Sequence, residues 1–242
     1  PKGEMMPAIQ VNQLQKTYKT KQKAAGVKAS LQSLINPKYH LVEAIRGISF
    51  EMQDGELLGL IGPNGAGKST TIKILTGILY PTAGQASILG FTPWKDRQKL
   101  AYQIGSVFGQ RPQLWYHLPA IDTFQLFGKI YELDDRFVRQ RIAMLAEAFE
   151  IKDLLETPVR KLSLGQRMRC EVAASLLHKP RLLLLDEPSI GLDVVAKQRI
   201  RDTVKMMNQQ EGVGVLLTSH DAGDIEALCR NVIIINHGQI VY

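Results

Sequence analysis

Eight residues constrain this chain more than any others: Gly62-Pro63-Asn64-Gly65-Ala66-Gly67-Lys68-Ser69, a match to GxxxxGK[ST]. The apolar run Leu57–Ile61 before it predicts a strand, and Gly67–Thr76 after it predicts a helix closed by Gly77. That strand–loop–helix context is the one in which this pattern binds phosphate. Glycines let consecutive backbone N–H groups point inward at phosphate oxygens, and the helix N-terminus adds its positive end. The phosphate-binding residues read from the motif are Gly62, Asn64, Gly65, Ala66, Gly67, Lys68, Ser69 and Thr70. Lys68 supplies a point charge for the β- and γ-phosphates, and the Ser69 hydroxyl is a ligand for Mg²⁺.

A second signal lies far along the chain, at Leu182-Leu183-Leu184-Leu185-Asp186-Glu187. Four leucines predict a buried strand, and Asp186 emerges at its C-terminal end, where open α/β sheets bind ligands. An Asp there holds Mg²⁺, directly or through water. Glu187 beside it is placed to polarise an attacking water as general base. Further strands are predicted at Ile9–Leu14, Ala44–Met52, Ile104–Phe108, Val213–Leu217 and Val232–Ile235. Helical spacing dominates Leu118 to Leu177. Continuous apolar strands alternating with helices indicate a parallel sheet covered on both faces. Residues 19–42 read as an inserted excursion with a short helix near Leu31–Ile35, broken by Asn36-Pro37.

With 45% apolar and 22% charged residues the composition is that of an ordinary globular protein. No apolar run is long enough to span a bilayer, and Pro1–Pro7 carries no signal-peptide h-region, so the chain is expected not to cross a membrane by itself. Cys170 and Cys229 show no metal or redox spacing and read as reduced thiols. Net charge is +7, and residues 1–46 hold eight Lys/Arg against two acids, which is +6 of it. The stretch Lys19–Lys38 carries five lysines and no acid, a pattern that suits a solvated loop or anionic lipid headgroups.

The segment Leu162-Ser163-Leu164-Gly165-Gln166 resembles the LSGGQ signature of the ATP-binding cassette (ABC) proteins. Pro188 to Asp193 looks like that family's D-loop, and His220 in Leu217-Thr218-Ser219-His220 like its switch histidine. Order and spacing match across residues 8–242. The resemblance implies a P-loop NTPase (RecA-like) α/β core with an antiparallel β subdomain and an inserted α-helical subdomain. The expected division is 8–110 and 180–242 for the core, 111–179 for the helical part and 19–42 for the basic insertion, within one ABC ATPase domain over 1–242. It also implies roles. Ser163, Gly165 and Gln166 contact the ATP held by an opposite subunit, and Asp193 bridges the two subunits. His220 bonds the γ-phosphate or water, and Gln110 joins Ser69 and Asp186 around Mg²⁺. Tyr18 stacks on adenine, with Tyr39 and His40 as competitors. The signature departs from the consensus at Leu164, where the family has glycine, and Gly109 displaces the usual glutamine by one position.

The resemblance narrows further to the ATPases of bacterial ABC-2-type exporters, through the inserted segment and Gly191-Leu192-Asp193-Val194-Val195-Ala196-Lys197. The implied function is an ATP-hydrolysing subunit that closes as a homodimer on MgATP and drives a separate integral-membrane permease. It would sit at the cytoplasmic face of the membrane, with no nucleic acid partner. The rival is a soluble ABC ATPase acting on nucleic acid or iron–sulfur assembly. The nucleic-acid reading predicts a second cassette or a long coiled-coil insertion, features this sequence does not show.

Overall fold

A computed structural model describes residues 7–21, 39–109 and 111–242. Two sheets organise them. The first is antiparallel, in the order β2-β1-β4, from β1 (Ile9–Lys21), β2 (Tyr39–Met52) and β4 (Ala83–Ile88). The second has six strands in the order β5-β6-β7-β3-β8-β9: β5 (Ile104–Phe108), β6 (Leu182–Asp186), β7 (Gly214–Ser219), β3 (Leu57–Ile61), β8 (Asn231–Asn236) and β9 (Gln239–Ile240). The first five are parallel, and β9 closes the edge antiparallel to β8.

The leucine run of β6 shows why such strands read as continuously apolar. Leu183 and Leu185 bury into one apolar cluster with Val215 and Leu217, while Leu182 and Leu184 bury into another with Leu58, Leu60 and Leu216. Both faces are therefore covered, as a parallel sheet requires. The first face carries helices α3 (Ala120–Ile130), α4 (Asp135–Ala148), α5 (Leu164–Ser175) and α6 (Val194–Glu211), which contribute Phe124, Leu145, Met168 and Ile200 to its cluster. The second face carries α1 (Lys68–Leu75), with Ile72, Ile74 and Leu75, and joins the antiparallel sheet through Ile9, Leu14, Ile45 and Met52. Two short helices, α2 (Arg97–Ala101) and α7 (Ala222–Leu228), complete the set.

The structure corrects the reading of the first hairpin. The predicted strand Ile9–Leu14 runs on to Lys21, and the predicted excursion begins and ends as ladder: Lys19 pairs with Leu41, Thr20 with His40 and Lys21 with Tyr39. Its residues alternate no apolar side because Tyr39, Leu41 and Val42 are exposed. Backbone pairing alone carries the extension, and periodicity cannot see that. The expected helix near 31–35 lies outside the described residues. Cys170 and Cys229 are both free, and burial pushes their thiols up to about 12.

One buried charge in α5 stands out. Glu171 is 1% exposed, and neither carboxylate oxygen reaches a partner at hydrogen-bond geometry. Burial pushes it up to about 7, against the partial pull of the Arg167 guanidinium, whose Nε lies 3.5 Å away, and of the Gln113 N–H. In the unfolded chain the group titrates near the ordinary 4.5. The folded state therefore holds a proton that the unfolded chain has released. The stabilisation this gives is complete below about 4.5, drains through that window and is gone above about 7. Glu171→Gln, which mimics the protonated acid, is expected to stabilise the protein at pH 8 by up to roughly 3 kcal/mol and far less at pH 5. Thermal melts of both proteins at the two pH values measure the difference, and an equal shift at both would contradict it.

Candidate functional site

The phosphate loop fills the turn between β3 and α1. Gly62, Asn64, Gly65, Ala66 and Gly67 form the turn, and Lys68, Ser69 and Thr70 open the helix. Gly67 caps α1 with φ 112°, a left-handed conformation that a side chain would resist. The loop is tied at its middle: Ala66 N–H donates to Pro63 O at 3.1 Å, and Gly238 N–H donates to Ala66 O at 2.9 Å. No side chain caps α1, so its first N–H groups keep their positive end free.

Lys68 is 4% exposed. Its ammonium donates to Gly62 O at 2.7 Å and Pro63 O at 3.2 Å, and sits 3.2 Å from Glu187 Oε1. Ser69 Oγ donates to Asp186 Oδ1 at 2.9 Å, and Thr218 Oγ1 donates to the same oxygen at 2.8 Å. Burial raises Asp186 above the usual carboxylate range. The hydrogen bonds from Thr218 and Ser69 oppose it, Glu187 adds to it, and Lys73 opposes it. Glu187 adopts φ 51°, rare for a residue with a side chain. Its N–H is held by Thr218, through O and Oγ1, each at 3.1 Å. His220 Nδ1 lies 3.7 Å from Glu187 Oε2, with its ring nearly half exposed. The predicted residues Lys68, Ser69, Asp186, Glu187 and His220 thus converge at the C-terminal ends of β3, β6 and β7.

The other predicted residues lie elsewhere. Ser163 is the exposed N-cap of α5: its Oγ accepts from Gln166 N–H at 3.2 Å, and Gln166 Oε1 accepts from Ser163 N–H at 2.9 Å, a complete capping box. Gly165 follows in the first turn. Asp193 caps α6, accepting from Ala196 N–H at 2.8 Å. Among the described residues, no hydrogen bond joins Ser163, Gly165, Gln166 or Asp193 to the Lys68–Glu187 cluster. Tyr18 lies half-buried in β1, opposite Val42, with the Lys16 ammonium 5.2 Å from its ring centre. Gln110 lies outside the described residues.

Thr218 and Asp224 lie in segments that carry the family resemblance, but sequence reasoning gave neither a role in the site. Asp224 is 2% exposed and binds three elements at once. It accepts from Ser189, from Ser219 at 3.1 Å and from Arg201 Nε at 3.1 Å. Lys197 pairs with Asp221 at 2.8 Å alongside. The available signal was a run of small polar residues, Thr218, Ser219, Asp221 and Asp224, after a buried strand.

The site's donors fit a triphosphate with its Mg²⁺. A buried lysine and a free helix N-terminus face the loop, and a hydroxyl and a buried carboxylate already share one point at Ser69 and Asp186.

Residues 45–190 match the sequence profile of the family described as ABC transporter. The chain is 31% identical over 205 residues to ABC transporter ATP-binding protein NatA of Bacillus subtilis, covering 85% of this chain and 83% of that one. It is 34% identical over 207 residues to the Linearmycin resistance ATP-binding protein LnrL of the same organism, covering 86% of this chain and 66% of that one. Its fold matches the dimeric ATP-binding cassette MJ0796, solved in a post-hydrolysis state with ADP and Pi, with a TM-score of 0.80, 23% identity and 97% of each chain covered.

Gly109 tests how the site is assembled. It follows β5, and its N–H donates to Asp186 O at 2.9 Å. A Cβ there would lie 2.2 Å from Glu187 O. Gly109→Ala is expected to push β5 off the Asp186–Glu187 turn and cut ATPase activity at least tenfold, a displacement of the kind that misaligns reacting groups. A variant that keeps full activity would show that the turn tolerates the shift.

Proposed function

This chain belongs to the ABC transporter family as an ATP-binding, ATP-hydrolysing protein, and from that premise we propose that each of its ATP sites is completed by a second copy of the chain. The observation that carries this reading is the separation just described. Lys68, Ser69, Asp186, Glu187 and His220 converge, while Ser163, Gly165, Gln166 and Asp193 lie apart, and Ser163 and Asp193 are exposed. Val194 and Val195, beside Asp193, are 80% and 63% exposed, an apolar step suited to a partner. The dimeric state of the cassette MJ0796 supports the same arrangement.

The roles follow from the chemistry of the groups. Lys68 and the α1 N-terminus bind the β- and γ-phosphates. Ser69 and Asp186, with Gln110, would hold Mg²⁺, which would draw charge from the phosphate oxygens. Glu187 orients the attacking water and accepts its proton; its release from Lys68 when phosphate arrives frees the carboxylate for that task. His220 holds the water or the γ-phosphate from the other side. Ser163 and Gly165 of the partner copy present the N-terminus of α5 to the same phosphate. Tyr18 is the adenine platform. The helical segment 111–179 and the core 8–110 and 180–242 are the two parts of one ABC ATPase domain.

The cassette drives a separate permease at the cytoplasmic face of the membrane, in the manner of an ABC-2-type exporter. The relation to a resistance ATP-binding protein supports outward transport, and among the described residues no helix is long and apolar enough to cross a membrane. We assign the permease contact to the loop before α3, a reading supported by the exposure of Trp115 and Tyr116, 50% and 52%, while Phe124 is fully buried. The composition of 19–38, five lysines and no acid, suits anionic lipid headgroups or acidic loops of the permease.

Glu187→Gln is expected to retain ATP binding, lose at least 99% of steady-state hydrolysis and accumulate an ATP-bound dimer on size exclusion. Turnover near that of the unaltered protein would remove Glu187 from its role, and a monomer that hydrolyses ATP fully would remove the composite site. Trp115→Ala is expected to leave basal ATPase within twofold while losing most permease-stimulated ATPase or complex yield. Equal losses in both assays would make the tryptophan part of the fold instead.

A further inference from the structure

A small cavity of about 70 Å³ opens between the ends of β5 and β6, lined by Ser69, Lys73, Phe108, Arg111, Asp186 and Glu187. It is larger than the roughly 30 Å³ that one water occupies. Three of its six lining residues are assigned above, the hydroxyl and the two carboxylates, and Lys73 adds a weak longer-range pull on Asp186. Phe108 is wall. Arg111 has no role in what has been described.

Its placement is fixed by the backbone. Arg111 N–H donates to Phe108 O at 2.8 Å, and the two residues form an antiparallel bridge. Phe108 is paired in register with Asp186. The turn that carries Arg111 is thus anchored on the strand pair that carries the acidic residues. Gly109 lets the turn pass close over the Glu187 carbonyl. Among the described residues, no carboxylate forms an ion pair with Arg111, although two carboxylates line the same cavity. The side chain is exposed, so its charge stays solvated until an anion enters.

The cationic inventory gives that charge a task. Lys68 is shared with Glu187, and Lys73 forms no ion pair with Asp186 among the described residues. Beside the Mg²⁺ that Ser69 and Asp186 would hold, Lys68 is one point charge against the several oxygens of a terminal phosphate. A guanidinium offers two parallel N–H donors that match two phosphate oxygens, which an ammonium does not.

We propose that Arg111 is a further phosphate-binding residue, which takes the terminal phosphate of ATP from the chain's own side of the site. This rests on the reading of Lys68 and Ser69 as the phosphate site. Arg111 reaches only the third phosphate, so it distinguishes ATP from ADP, whereas Lys68 serves both. It also gives the turn after β5 a charge that senses whether the phosphate is still attached.

The test measures affinity for a non-hydrolysable ATP analogue and for ADP, each with Mg²⁺, in the unaltered chain, Arg111→Ala, Arg111→Lys and Lys68→Ala. Arg111→Ala is expected to weaken the ATP analogue about tenfold or more and leave ADP within twofold. Arg111→Lys, which keeps charge but loses the two-pronged contact, should fall between. Lys68→Ala should weaken both nucleotides strongly. Equal weakening of both nucleotides by Arg111→Ala, or none of either, overturns the assignment while leaving the phosphate site intact if Lys68→Ala still weakens both. If Lys68→Ala binds both normally, the phosphate-site reading fails first and takes Arg111 with it. An unchanged melting temperature in Arg111→Ala excludes misfolding as the cause of a loss.

Discussion

The buried ammonium of Lys68 is the charge around which the site is arranged. At 4% exposure an unpaired lysine would cost several kcal/mol, so it must be surrounded by acceptors. Gly62 O, Pro63 O and Glu187 supply them at 2.7, 3.2 and 3.2 Å. Each acceptor imposes a condition. The two carbonyls require the loop to curl back over the helix it opens. Glu187 requires β6 to end at the level of that loop, and its φ of 51° points the carboxylate inward. The pair is mutually neutralising. On the reading proposed above, an arriving phosphate gives the ammonium a stronger partner and frees the carboxylate. One pair therefore supports the fold and, on that reading, holds back the base.

Around this pair lies a second layer that makes no contact with Lys68. Thr218 fixes both Asp186, through its hydroxyl, and the main chain of Glu187. Asp224 gathers Ser189, Ser219 and Arg201, which belong to the turn after Glu187, the end of β7 and α6. His220 follows Ser219 directly, so the loop that carries it is pinned on one side by Asp224 and on the other by the Lys197–Asp221 pair. A buried carboxylate with three donors is fully satisfied and resists rotation. Its cost is recovered in the fixed positions of Glu187 and His220.

Much of this was legible in the sequence because the signals were local. The phosphate loop needs adjacent glycines and a lysine, and the acidic strand announces itself as four leucines and two acids. Both survive in the structure at the positions read from them, β3–α1 and β6. What escaped depends on contacts between distant segments. Thr218 meets Asp186 across 32 positions and Arg201 meets Asp224 across 23, and a lone Thr or Arg gives no hint of its partner. The first hairpin escaped for another reason. Residues 15–20 of β1 and 39–43 of β2 are held by the ladder and none of them is fully buried, so no alternation marks them.

The leucine that replaces glycine in the signature shows how a departure from pattern is absorbed. Leu164 sits one residue after the α5 N-cap, 38% exposed. Ser163 and Gln166 still form their reciprocal cap, so the backbone around the substitution keeps its helical start. The added side chain turns toward Gly191, where a Cβ would lie 3.1 Å from Leu164 Cδ2. Gly191 holds φ 72° and so already excludes most side chains. One glycine is exchanged for another's contact: the signature loses its bare backbone, and the turn before Asp193 gains an apolar neighbour from the same chain. Leu164 thereby lays the start of α5 against the turn that leads into α6. The two segments proposed to meet a partner copy are thus packed together within one chain.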